Sequence, residues 1–144
     1  MRTGRRIVVA SWVGTGLFAV SAVAAAAVPS VFEALSVAVA LVLFALGCGA
    51  FLWAYGIAIS RSRFEVVSIG GVFLLTGAPV PVRLHLLGSL GAQVVVALVT
   101  ASVRPFTGLA FGVLVPMLGL GLAGLWGARY GSFPDRPDTD QTGR

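Results

Sequence analysis

The chain has 144 residues, of which 58% are hydrophobic and 10% charged, with a formal net charge of +5 and a mean hydropathy of +0.99. That balance lies outside the range of soluble domains and leaves no room for a separate soluble catalytic domain. The basic residues gather at the ends of apolar runs without interleaved aromatics, so the charge is read as orienting a membrane protein and nucleic acid is excluded as a partner.

Four uncharged runs fill most of the chain: Ile7–Val28, Ala34–Ile59, Leu86–Val103 and Thr107–Ala128. Each is long enough to cross a hydrocarbon core of roughly 30 Å at about 1.5 Å per residue. The expected fold class is an all-α membrane protein. Its four transmembrane helices form an antiparallel bundle, because short links force neighbouring helices to turn back. Residues 1–131 are expected to form this one domain. The polar, proline-containing stretch 132–144, which carries Asp135, Asp138 and Asp140, is expected to be a disordered cytoplasmic tail.

The first run follows Arg5-Arg6 and ends in the small-residue stretch Ser21–Ala27, a pattern shared with cleaved signal peptides. It is long for a signal segment, so it is expected to stay as the first span. The next turn, Pro29–Glu33, has the S-x-x-E spacing of a capping box in Ser30 and Glu33. Glu33 and Arg104 are the only charges expected on that face and are expected to pair. The second span carries the lone cysteine, Cys48, read as a small packing residue, and the small pair Ala45 and Gly49.

The segment Arg61–His85 is the least generic stretch. Its apolar part, Ile69–Ala78, is too short to span. Val66, Val67, Ile69 and Val72 around Gly70-Gly71 suit a tight hairpin, and a short interfacial helix starting near Gly71 is the other reading. Pro79 and Pro81 end either one. The segment is expected to lie on the membrane surface, with Arg61, Arg63, Phe73 and Arg83 contacting lipid or a partner protein.

Small residues let membrane helices approach closely. The fourth span carries Gly119, Ala123 and Gly127 at i, i+4 and i+8, with Gly124 and Ala128 as an offset pair; the third carries Gly88 and Ala92. All are read as packing positions, within the bundle or between copies. The string from Gly119 to Gly124 also matches G-x-G-x-x-G, but a dinucleotide fingerprint needs a preceding strand and an aqueous phosphate site. Pro116 is expected to kink the fourth span. Gln93, near the middle of the third, is the one strongly polar side chain at depth, expected to bond Thr15, Ser36 or the Gln93 of another copy.

Nine of the ten arginines flank the runs on one side and only Arg104 falls on the other, which places both termini in the cytoplasm of a multi-pass cell (inner) membrane protein. Trp12, Trp53 and Trp126 fall near the same helix ends, where amphipathic rings favour the interface. Charged or histidine side chains, the usual equipment of ion- and proton-coupled carriers, are absent from all four runs. His85 is the only histidine, so no metal or haem site is expected, and no catalytic or cofactor-binding set assembles.

Arg61-Ser-Arg63, Gly70-Gly71, Gln93, the block from Ala101 to Phe106 and the block from Leu118 to Gly131 resemble a family of uncharacterised small four-span actinobacterial integral membrane proteins. The resemblance covers roughly the second half of the chain and implies a four-helix membrane fold without implying an activity. Small multidrug exporters, with an acid in the first helix, and fluoride channels, with pore asparagines, fit poorly: the first span has no acid and the chain no Asn. The expected function is therefore that of a non-catalytic structural or accessory subunit, associating through the fourth span and the Arg61–Arg83 segment, with membrane lipids and a homo-oligomer or larger membrane complex as partners. The alternative is a small homo-oligomeric transporter or lipid flippase for a neutral or amphipathic substrate.

Overall fold

The computed structural model describes residues 4–135. Four segments in it are long and apolar enough to cross a membrane: α1 (Arg5–Ala27), α2 (Pro29–Arg61), α4 (Val80–Val103) and a fourth that joins a 3₁₀ segment (Gly108–Leu114) to α5 (Pro116–Tyr130). A five-residue helix, α3 (Ile69–Phe73), lies between α2 and α4. This is an all-α membrane protein; among the described residues the only β pairing is an isolated bridge between Glu65 and Asp135.

Consecutive spans are antiparallel, while spans two apart in sequence lie side by side and parallel. Ser11 meets Ser89, Thr15 meets Gln93 and Arg104 meets the Ala26 carbonyl, each 78 residues apart, so α1 and α4 share one register. In the same way Glu33 reaches Gly108 near one end of α2 and Arg61 reaches Ala128 near the other.

The turn between α1 and α2 is tighter than Pro29–Glu33. Proline occupies the first position of α2, where its missing N–H costs nothing, and only Val28 separates the two helices. Ser30 and Glu33 then lie inside the helix and form no capping box. Glu33 does not pair with Arg104 either. Its Oε1 accepts the Gly108 backbone N–H at 2.7 Å, at the start of the 3₁₀ segment, and Arg104 donates to the Ala26 carbonyl at 3.2 Å, at the end of α1.

Pro116 begins α5, and the chain before it is wound as a 3₁₀ helix, so the winding of the fourth span changes at the proline. Pro81 likewise sits in the first turn of α4, not before it. The hairpin around Gly70-Gly71 does not form. Ser68 instead caps α3, its Oγ accepting the Gly71 N–H at 3.0 Å, an arrangement a five-residue apolar segment reaches more readily than an unpartnered strand pair.

At about 1.5 Å per residue, the 33 residues of α2 extend to roughly 50 Å, well beyond the roughly 30 Å core. Arg61 lies level with the last turn of α5, and the chain from Ser62 to Pro79 folds back so that Val72 and Phe73 pack against α2 and α5. Val72, Phe73 and Leu75 are buried there, with Phe73 stacked on Phe51 at 4.6 Å between ring centroids. The start of the supposed tail belongs to the same layer. The Ser132 N–H donates to the Gly77 carbonyl, the Val66 N–H donates to the Pro134 carbonyl, and Phe133 packs against the cluster around Phe73. The rest of the stretch expected to be disordered, residues 136–144, lies outside the described residues.

Candidate functional site

A chain of hydrogen bonds crosses the middle of the bundle. The Gln93 side chain is fully buried; its Nε2 donates to Thr15 Oγ1 at 2.8 Å and its Oε1 accepts the Gly119 backbone N–H at 3.1 Å. Thr15 donates in turn to the Ser11 carbonyl at 2.8 Å, and the Ser11 hydroxyl bonds that of Ser89, whose own Oγ reaches the Leu86 carbonyl. Every polar atom of the Gln93 amide that faces its neighbours is engaged within one chain, as a low-dielectric interior demands. Ser36 is buried elsewhere and takes no part. The clefts described at the bundle surface are lined by helix ends and outer faces, and none of these reaches Gln93.

The small residues of the fourth span face inward. A Cβ on Gly119 would crowd Gln93 Oε1 and the Leu90 backbone, one on Gly124 would overlap the Phe73 ring, and one on Gly127 the Val72 carbonyl. Ala123 and Ala128 are buried. The ladder is therefore consumed inside the protomer and leaves no surface for a second copy. Gly88 is different: it points outward into open space, with Ala92 half-buried beside it, and the inner face of α4 is Leu86, Ser89, Gln93, Ala97 and Thr100. Ala45 and Gly49 also face out. The close approach on α2 is made by Gly47, set against the Met117–Leu118 backbone, while Gly121 lies against the Gly47 carbonyl.

At the arginine-rich end, Arg61 is a clasp rather than a free contact. Its guanidinium donates to the Ala128 carbonyl at 2.8 Å, the Gly131 carbonyl at 3.0 Å and Glu65 Oε2 at 2.6 Å, and lies 5.5 Å from the centroid of the Phe133 ring. It thereby satisfies carbonyls that the end of α5 leaves open. Phe73 is 8% exposed and is likewise not available to lipid or partner. Arg63 and Arg83 remain exposed.

Trp126 is only 4% exposed, so it is not an interface anchor as Trp12 and Trp53, with 44% and 63% exposure, can be. It lines a cavity of about 390 Å³ with Gly4, Arg5, Val8, Val9, Pro79, Pro81, Val82 and His85. Among the described residues its indole N–H is buried without an acceptor. Gly4, at a left-handed φ of 85°, lies directly against that nitrogen, where any Cβ would collide. Sequence reading missed this site because residues 4, 85 and 126 meet only in the folded bundle. No group of His, Cys, Asp and Glu that could hold a metal occurs among the described residues. No family model matches the chain, and neither a curated protein nor a solved structure matches it at a significant level.

Proposed function

We propose that this chain is a non-catalytic structural or accessory subunit of a complex in the cell membrane, with both termini cytoplasmic. The observation that carries this reading is the sealed interior: Gln93, Thr15, Ser11 and Ser89, the groups that a substrate pathway would use, are buried and bonded to one another. A carrier of a neutral substrate needs a polar cavity reachable from water, and these groups line none of the clefts described. Orientation rests on the arginines: Arg5, Arg6, Arg61, Arg63, Arg83 and Arg129 lie at one end of the bundle and Arg104 at the other. With the fourth-span ladder and the Phe73 layer turned inward, the faces left for a partner helix are the outward sides of α1, α2 and α4, where Gly16, Gly49, Gly56, Gly88 and Gly91 leave the backbone open.

Native mass spectrometry of the protein, extracted gently from its own membranes, tests the proposal. A heteromer of fixed stoichiometry, lost as an assembly when this chain is deleted, is the expected result. A monomer or homo-oligomer without a protein partner would overturn it and turn attention to lipid or small-molecule transport.

A further inference from the structure

We infer that Gly131–Asp135 is a releasable strap, and that it holds Val72 and Phe73 as a plug in a groove between α2 and α5. The groove is walled by small residues. Ala54 and Ala58 line it on α2, and Gly124, Gly127 and Ala128 line it on α5. Phe73 fills it, stacked on Phe51 with its ring against Gly124, while the Val72 carbonyl lies against Gly127. The plug belongs to a segment that does not itself span, so it can leave the groove without either long helix moving.

The plug's own structure is weak. α3 has five residues, too few for a helix that is stable alone. Leu75, just beyond it, takes a left-handed φ of 57°, which a branched side chain adopts only under constraint. Its side chain is buried with Leu86, Ala123 and Trp126, so the segment stays anchored there and the movable part is the turn before it.

The strap supplies the rest of the hold. The Ser132 N–H donates to the Gly77 carbonyl at 3.1 Å, and the Val66 N–H donates to the Pro134 carbonyl at 2.9 Å. These two bonds bracket α3. Between them Phe133 packs against the cluster that contains Phe73. One guanidinium joins all three pieces. Arg61 donates to Ala128 on α5, to Gly131 in the strap and to Glu65 in the segment, and it lies over the Phe133 ring. The strap itself has only an isolated bridge, and Ser132, Pro134 and Asp135 are exposed. A segment with few backbone bonds, close to solvent, opens at low free energy. The seam through Gln93 and the close approach of Gly47 to Gly121 use no residue of 62–79 or 131–135. Opening the strap therefore frees the plug and uncovers the groove while the four spans stay packed. The inference does not depend on whether the chain has a protein partner.

Hydrogen exchange of the full-length protein in micelles, read by mass spectrometry, tests this. The reporters are amides whose acceptors lie inside the segment rather than in the strap: Val72 on Ser68, Leu74 on Gly70 and Thr76 on Gly71. Phe133→Ala is expected to speed their exchange about ten-fold and to leave the amides of α1 and α4 within about two-fold of wild type. Gly77→Ala, whose Cβ presses on the Ser132 backbone from the other side, is expected to act alike and serves if Phe133→Ala does not fold. Phe64→Ala removes an exposed ring at the same end and is expected to change neither set. Unchanged exchange at the reporters in Phe133→Ala would show that the plug seats without the strap. Equal acceleration in α1 and α4, or in Phe64→Ala, would show that the layer does not open as a unit of its own. Each of these results would overturn the inference.

Discussion

At Gln93 one amide ties three spans together: α4 supplies it, Thr15 of α1 accepts its N–H and Gly119 of α5 donates to its carbonyl. That an amide at this depth needs partners is legible in the sequence, because nothing else so polar lies in the apolar runs. Which partners it takes depends on the 78-residue register between α1 and α4, and no local pattern encodes that. Replacing Gln93 with Leu removes both bonds while filling the space, and is expected to lower stability in detergent micelles by about 1–2 kcal/mol. Thermal or denaturant unfolding followed by circular dichroism checks this, and an unchanged midpoint would mean the seam is not structural. Arg61 is the opposite case. Its charge near the end of α2 marks orientation, but its bonds to Ala128 and Gly131 join residues about 70 apart and leave no signature in the sequence.

At the scale of the element, the apolar runs marked the four spans within a few residues, since length and hydropathy alone decide whether a helix crosses a bilayer. The ends were less legible because proline is ambiguous there. Pro29 and Pro81 read as parts of the links between helices, and each instead stands in a helix's first turn; Pro116 reads as a kink within a span, and it opens α5 after a 3₁₀ segment. Glycine spacing was ambiguous too, since a small-xxx-small pattern does not say which face turns inward. Gly47 and Gly49 separate the two possibilities. A Cβ on Gly47 would press on the Met117–Leu118 backbone, and one on Gly49 meets nothing within 4 Å. Gly47→Ala is therefore expected to destabilise the protein by about 1–3 kcal/mol through overpacking. Gly49→Ala is expected to be neutral or stabilising by about 1 kcal/mol, from helix propensity. Comparable losses at both sites in the same unfolding experiment would contradict the assigned faces.

For the whole molecule, the arrangement follows from what a membrane does and does not reward. Lipid tails are as apolar as the helices, so association rests on close backbone approach and on internal hydrogen bonds rather than on removal of apolar surface from water. The bundle uses both, with glycine contacts between α2 and α5 and the polar seam between α1 and α4. The arginine-rich end is where the surface segment, the start of the tail and the Trp126 cavity gather. It forms an ordered layer because Val72, Phe73 and Phe133 pack against α2 and α5 and Arg61 fastens the end of α2 to α5.

The sealed seam separates a structural subunit from a carrier, and cysteine accessibility at its centre tests it most directly. In a Cys48→Ala background, Ser89→Cys places a small thiol beside Ser11, with Ser30→Cys at the Arg104 end and Ser62→Cys at the arginine-rich end as references. A water-soluble maleimide is expected to label Ser30→Cys in intact cells, Ser62→Cys only after permeabilisation, and Ser89→Cys under neither condition. Labelling of Ser89→Cys from either side would contradict a closed interior and make the molecule a conduit.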